Sequence, residues 1–464
     1  MLPMPSLRLL ADTLHAVARR YRLPPLDAIV SRTQDVSAPT ALALVIEEAR
    51  KVIESGGVPD DALKRRFIEA LARVIRDAMR PDAGDPAFQA VVLRQHAETV
   101  REYAALSAQA GQDRRLVRAA ITTIAHPRKQ ERMRSGAQRE ALARLFAAAS
   151  SVPVSETRNT VECLLHAPEI TSDASLLRAL TQLRDSAALE RLLRLETLEP
   201  DQFVRRYRSL WDRNGPRPGS ATAVAQGVEA QRRGADAEAS AARALEALAQ
   251  RLNEDEGQPA SYRVVTSMRV PASLAAGHAR AKTEWDAALL RRAPSLDSAP
   301  AWDVCLLVEA KASVDAATTD FGRLLRGLRL LARADEDAAY AFETREGVVH
   351  LRGASLSALR TDEAALEQTV LYCCDASDDT ALRPLSAAGR MRLMTAPASL
   401  EYASTLTRVE DLEPVWNAML QSPQWAAVLD QYPALRQVRE LMVHPDDLLA
   451  AIRGAANQRD VAPE

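Results

Sequence analysis

The run Val304-Cys305-Leu306-Leu307-Val308-Glu309-Ala310-Lys311-Ala312 sets a glutamate and a lysine into an otherwise apolar stretch. Side chains alternate between faces along a strand, so Glu309 and Lys311 share one face, roughly 6–7 Å apart along the backbone. A strand that is apolar on both faces is normally covered on both. Placing two charges there costs several kcal/mol each unless they are paired or hold an ion.

The preceding run, Lys282-Thr283-Glu284-Trp285-Asp286-Ala287-Ala288-Leu289-Leu290, places Asp286 at the head of a second apolar segment. If the two strands are neighbours, one carboxylate from each meets the other across the strand spacing of about 4.8 Å. Two carboxylates and the main-chain carbonyl of Ala310 make an oxygen-rich set suited to Mg2+ or Mn2+. A lysine beside them orients or helps deprotonate a metal-bound water, and offsets charge building on a phosphate. Asp303, in Pro300-Ala301-Trp302-Asp303, is the other aspartate in reach by sequence. Six residues from Glu309 on one strand, it stands about 20 Å away and is set aside. The bland reading of the same residues is a Glu309–Lys311 ion pair with Asp286 solvating a strand end.

Lysine is scarce: of the 60 basic residues only Lys51, Lys64, Lys129, Lys282 and Lys311 are lysines, which gives Lys311 weight as a specific choice. The order helix, strand, strand with Asp286, strand with Glu309-x-Lys311, helix resembles the core of the PD-(D/E)XK phosphodiesterase superfamily. It is most similar to the branch of Mrr-like and RecB-like nucleases. Members of that branch commonly open with a G-x-x-x-E helix, and Gly234-Ala235-Asp236-Ala237-Glu238 stands in the corresponding place. The resemblance covers residues 225–335. It implies that Asp286 and Glu309 are metal ligands, that Lys311 activates water, and that Glu238 is an auxiliary acid. No proline precedes Asp286, but Glu284-Trp285-Asp286 fits the Glu-x-Asp variant of the branch. A Q-x-x-x-Y or Q-x-K element after Lys311 is missing.

These residues need a frame. Residues 1–213 read as helix after helix, with Leu7, Leu10, Leu14 and Val17, and again Leu63, Phe67, Leu71 and Ile75, at three- and four-residue spacing. Gly, Pro and Ser between 214 and 221 read as a linker. Residues 222–400 form the nuclease-like domain, and 401–464 a helical tail. Strands are expected at Tyr262–Val270, Trp285–Leu290, Trp302–Ala312, Ala339–Glu343, Val348–Arg352 and Val370–Cys374, with a further one at Met391–Thr395. The expected fold is therefore α+β: an all-helical N-terminal domain, then a restriction-endonuclease-like α/β/α domain around a mixed central sheet.

The helix after Lys311 gathers Phe321, Leu324, Leu325, Leu328 and Leu331 on one face, and Arg323, Arg326, Arg329 and Arg333 on the other. Those arginines, with Lys282, are candidates for nonspecific contact with a nucleic-acid backbone. The bland reading, which the sequence favours slightly, is an ordinary solvated face in an arginine-rich protein.

Composition excludes more than it assigns. A formal net charge of -2 gives no general field for nucleic acid, so such a partner needs a local patch. Four scattered cysteines show no zinc spacing and no disulfide framework. No P-loop, H-E-x-x-H or G-x-S-x-G motif occurs. The first twenty residues are too broken by charge for a signal peptide, and no apolar stretch reaches spanning length. The expectation is a cytoplasmic Mg2+- or Mn2+-dependent nuclease acting on DNA, whose helical first half recognises the substrate or a partner protein. The alternative is a catalytically inactive nuclease-like interaction or scaffold protein.

Overall fold

The computed structural model describes residues 5–23, 37–131, 136–148, 153–216, 219–275, 281–294, 300–376 and 384–457. It is mixed α+β, helical in the first half with its sheet in the second. Two compact units form: Met1–Val74 with Gly219–Ala398 and Val409–Glu464, and Ile75–Pro218 with Ser399–Arg408. This differs from the division at 213. The first helix belongs with the sheet because Leu9, Leu10, Leu14 and Val17 pack into the core formed by the long helix and the sheet. In the expected linker, Arg217 and Pro218 lie outside the described residues.

The second unit is helical. Its core joins Val117, Ile121, Leu145, Val161, Leu180 and Leu189. Forked pairs Arg191–Asp113 and Arg194–Glu102 tie the helix Ala187–Leu198 to the helix Glu98–Ala125.

The first unit is built on seven strands: β1 (Tyr262–Arg269), β2 (Glu284–Arg292), β3 (Ala301–Lys311), β4 (Ala339–Thr344), β5 (Gly347–Arg352), β6 (Val370–Cys374) and β7 (Met442–Val443). β1, β2 and β3 are antiparallel in turn; β6 and β7 continue parallel from the end of β3. One face takes the long helix Ala221–Glu256 through Ala237, Ala241, Leu245, Leu248 and Leu252. The other takes the helix Val314–Leu331 through Phe321, Leu324, Leu328 and Leu331. Cover on both faces is why β3 and β6 read as nearly unbroken apolar runs.

Three expectations need correction. β5 pairs parallel with the first residues of β3, and β4 meets β1 at Arg269 and Glu343. The order β2-β1-β4-β5-β3, closed by β2–β3, makes a five-stranded ring rather than an open restriction-endonuclease-like sheet. β3 allows this because it is eleven residues long: β5 takes one edge at its start and β6 the same edge at its end. Next, Met391–Thr395 is not a strand; Ser386 caps the helix Ala387–Met394 by accepting the Gly389 N–H at 3.0 Å. Finally, the helical tail is interrupted by β7.

Candidate active site

The β2–β3 ladder ends at Ala287 opposite Val308, and Asp286 and Glu309 are the next residues beyond it on the two strands. Asp286 accepts the Ala310 N–H at 2.9 Å on its Oδ2. The N–H and C=O of one strand residue leave on the same side. The Ala310 carbonyl therefore projects from the edge that faces Asp286.

Glu309 is fully buried at 0% exposure. Its Oε2 takes two ammonium groups, Lys282 Nζ at 2.7 Å and Lys311 Nζ at 3.0 Å. Its Oε1 is buried with no hydrogen-bond partner. Burial first, and then the charge of Asp286, push the Glu309 carboxyl up to about 7, against the pull of both lysines.

Lys311 reaches a second acid, Asp320 Oδ2 at 3.5 Å, and Asp320 in turn accepts from Arg323 at 2.9 Å. Burial works to lower the Lys311 pKa, but Glu309, Asp286 and Asp320 outweigh it and hold it above its ordinary value. Lys311 is thus an ammonium at neutral pH. It can orient a water or neutralise a developing negative charge; it cannot accept a proton until those acids are otherwise compensated.

The position of Lys282 corrects its reading as a surface contact for nucleic acid. It is 3% exposed, with Nζ 5.8 Å from the centre of the Trp285 ring. The local cause is a close approach. A Cβ on Gly327 would lie 2.8 Å from Lys282 Cβ and 3.0 Å from its carbonyl oxygen, so only glycine lets the helix Val314–Leu331 come this near. The Lys282 N–H donates to the Arg323 carbonyl at 3.3 Å across the same contact. Arg323, Arg326, Arg329 and Arg333 are all exposed, as expected of that face.

Tyr372 on β6 stands beside Glu309 in the parallel register and is buried, with no partner for its hydroxyl. Burial, then the charges of Asp320 and Glu309, raise its pKa. The indole N–H of Trp285, the hydroxyl of Thr318 and Asp320 Oδ2 are likewise buried without hydrogen bonds. Unsatisfied polar atoms are uncommon in folded interiors, and these belong to residues on β2, β3, β6 and the helix that meet around Glu309.

Glu238, on the long helix, is exposed. Lost hydration first, then the charge of Asp286, raise its carboxyl pKa, while Lys311 and Arg345 oppose the rise. It stands outside the buried cluster, within reach of its field. Asp303, at the other end of β3, is occupied by a forked pair with Arg352.

Among the described residues, no group of three or more His, Cys, Asp or Glu is placed to hold a metal ion. The oxygens here of the chemical kind a hard divalent cation takes are Glu309 Oε1, which has no hydrogen-bond partner, the Asp286 carboxylate and the Ala310 carbonyl. Mg2+ is commonly held by one or two carboxylates, with waters or phosphate oxygens filling the rest of its shell.

Sequence reasoning missed Asp320, Tyr372 and the true place of Lys282. The scarcity of lysine that singled out Lys311 applied equally to Lys282 and was the one available signal. No family model matches the chain, and no curated protein and no solved structure gives a significant match to it.

Proposed function

We propose that the chain is a divalent-cation-dependent phosphodiesterase of the PD-(D/E)XK kind, hydrolysing nucleic acid, with DNA as the expected substrate. The observation that carries this reading is that Asp286 on β2 bonds the Ala310 N–H, next to Glu309 on the adjacent β3, with Lys311 paired to Glu309. The order long helix, β1, β2, β3, helix supports it, since this is the succession that the resemblance calls for. The ring-closing hairpin β4–β5 is an addition to that frame.

In this reading Asp286, Glu309 and the Ala310 carbonyl hold Mg2+ or Mn2+, and the cation supplies a polarised water and charge neutralisation at the phosphate. Lys311, already an ammonium, holds the attacking water in line and offsets charge as the phosphorane-like state forms. Lys282 keeps the Glu309 side chain aimed before the cation enters. Glu238 tunes the outer field of the site. The helical unit supplies contacts to the substrate or to a protein partner.

Purified protein with Mg2+ or Mn2+ should cut plasmid or linear DNA, and Lys311→Ala and Asp286→Asn should abolish cutting while far-UV circular dichroism is preserved. Equal cutting by wild type and both variants rules the assignment out. One observation favours a second reading, a catalytically silent relative used as a scaffold: both lysines already compensate Glu309, and no three-ligand cluster is present among the described residues. Calorimetric titration with Mn2+ separates the two, because the scaffold reading expects no heat of binding.

A further inference from the structure

The β4–β5 hairpin ends in the two-residue turn Arg345-Glu346, closed by the pairing of Thr344 with Gly347. Gly347 takes φ 111, which a side chain would resist. This turn is fastened to β1 at Thr266. The Thr266 N–H donates to Glu346 Oε2 at 2.8 Å, its hydroxyl donates to Glu346 Oε1 at 2.6 Å, and the Arg345 N–H donates to the Thr266 carbonyl at 3.0 Å.

The place of attachment is specific. Thr266 pairs with Ala287 and Met268 with Trp285, so the register carries Ser267 opposite Asp286. Ser267 drops out of the ladder there and adopts φ 50, a left-handed conformation uncommon for a residue with a Cβ. The kink thus lies one strand from Asp286, and the hairpin turn is clipped to the adjoining residue. Arg345 is exposed at this point, and its charge acts on Glu238 as do those of Asp286 and Lys311. Glu346, its neighbour in the turn, is engaged by Thr266.

We propose that Arg345 is a phosphate-binding residue at the mouth of the site, held there by the Glu346–Thr266 clip, and that its ligand is a phosphodiester of the nucleic-acid backbone. The proposal rests on the phosphodiesterase reading above. A guanidinium suits it because two parallel N–H groups fork onto phosphate oxygens. The ring closure gains a purpose by it: the hairpin returns to β1 at Thr266, beside the kink opposite Asp286, and adds a second cation to Lys311 there.

The test is fluorescence anisotropy of a labelled duplex DNA oligonucleotide, with Ca2+ replacing Mg2+ so that binding is read without cutting. Arg345→Ala should raise Kd roughly fivefold and lower the slope of log Kd against log salt by about one, the signature of one lost phosphate contact. Arg345→Lys should recover most of the affinity. Glu346→Ala should weaken binding with Arg345 intact. Arg345→Ala with the wild-type Kd and slope overturns the proposal, as does wild-type protein that binds no duplex. Unchanged binding by Glu346→Ala overturns the clip. The two readings fail separately: wild-type cutting that Arg345→Ala leaves untouched in both Kd and KM removes only Arg345. Binding that Arg345→Ala weakens, in a protein that never cuts, removes only the catalytic role.

Discussion

Lys282, not Lys311, makes the shorter contact with Glu309: 2.7 Å against 3.0 Å, both to the same carboxylate oxygen. A carboxylate at 0% exposure therefore meets a fully sequestered ammonium from the approach to β2 and a partly exposed one from its own strand. Removing the sequestered partner leaves the buried carboxylate with Lys311 alone. Lys282→Met should cost about 1–3 kcal/mol at pH 8 by chemical denaturation. The loss should shrink at pH 5, where Glu309 is protonated. A variant as stable as wild type at pH 8 would show that the pair contributes nothing to the fold.

Glu309 also sets a pH dependence. Its folded pKa, about 7, lies above its ordinary 4.5. A raised folded pKa gives stability that is fully present below the unfolded pKa and is lost as pH rises through the folded one. Without divalent cations, the stability of wild type relative to Glu309→Gln should fall by about 3 kcal/mol between pH 4.5 and 7. Urea denaturation of both proteins across this window measures the difference, and a flat difference contradicts the buried acid. Added Mn2+ should raise wild-type Tm more at pH 8 than at pH 5, because the cation competes with the proton for Glu309.

Two glycines should respond oppositely to alanine. At Gly327 the added Cβ meets Lys282 Cβ and its carbonyl within 3.0 Å. Gly327→Ala should destabilise by about 1–3 kcal/mol and disturb the Lys282–Glu309 pair. At Gly234 nothing lies within 4 Å of the added Cβ, in a helix interior. Gly234→Ala should stabilise by about 0.5–1 kcal/mol. Thermal melts of both variants test this, and destabilisation at Gly234 would mean that the glycine of the G-x-x-x-E segment has a role beyond the helix.

Ser267 offers a test of the kink beside Asp286. With φ at 50, Ser267→Gly should relieve about 1 kcal/mol of backbone strain, and Ser267→Val should add to it. Denaturation midpoints in that order support the geometry; a valine variant at least as stable as glycine contradicts it.

The local sequence by itself determined the frame of the site. Period-two alternation put Glu309 and Lys311 on one face, the apolar runs on either side marked β2 and β3 as covered strands, and Asp286 stood at the head of its run. These are short-range properties, set by side-chain alternation and hydrophobic burial. Tertiary structure decided the rest. Lys282 is four residues from Asp286 in sequence, and nothing there separates a surface lysine from a buried one. Its burial follows from the approach of a helix at Gly327, more than forty residues away. Asp320 and Tyr372 join because a helix docks over β3 and because β6 pairs in the Glu309–Tyr372 register. The closed ring, and with it Arg345 beside Thr266, depends on two pairings between distant strands, β1–β4 and β3–β5. Strand alternation is written in neighbouring residues, but the choice among distant partners is settled only when the whole core packs.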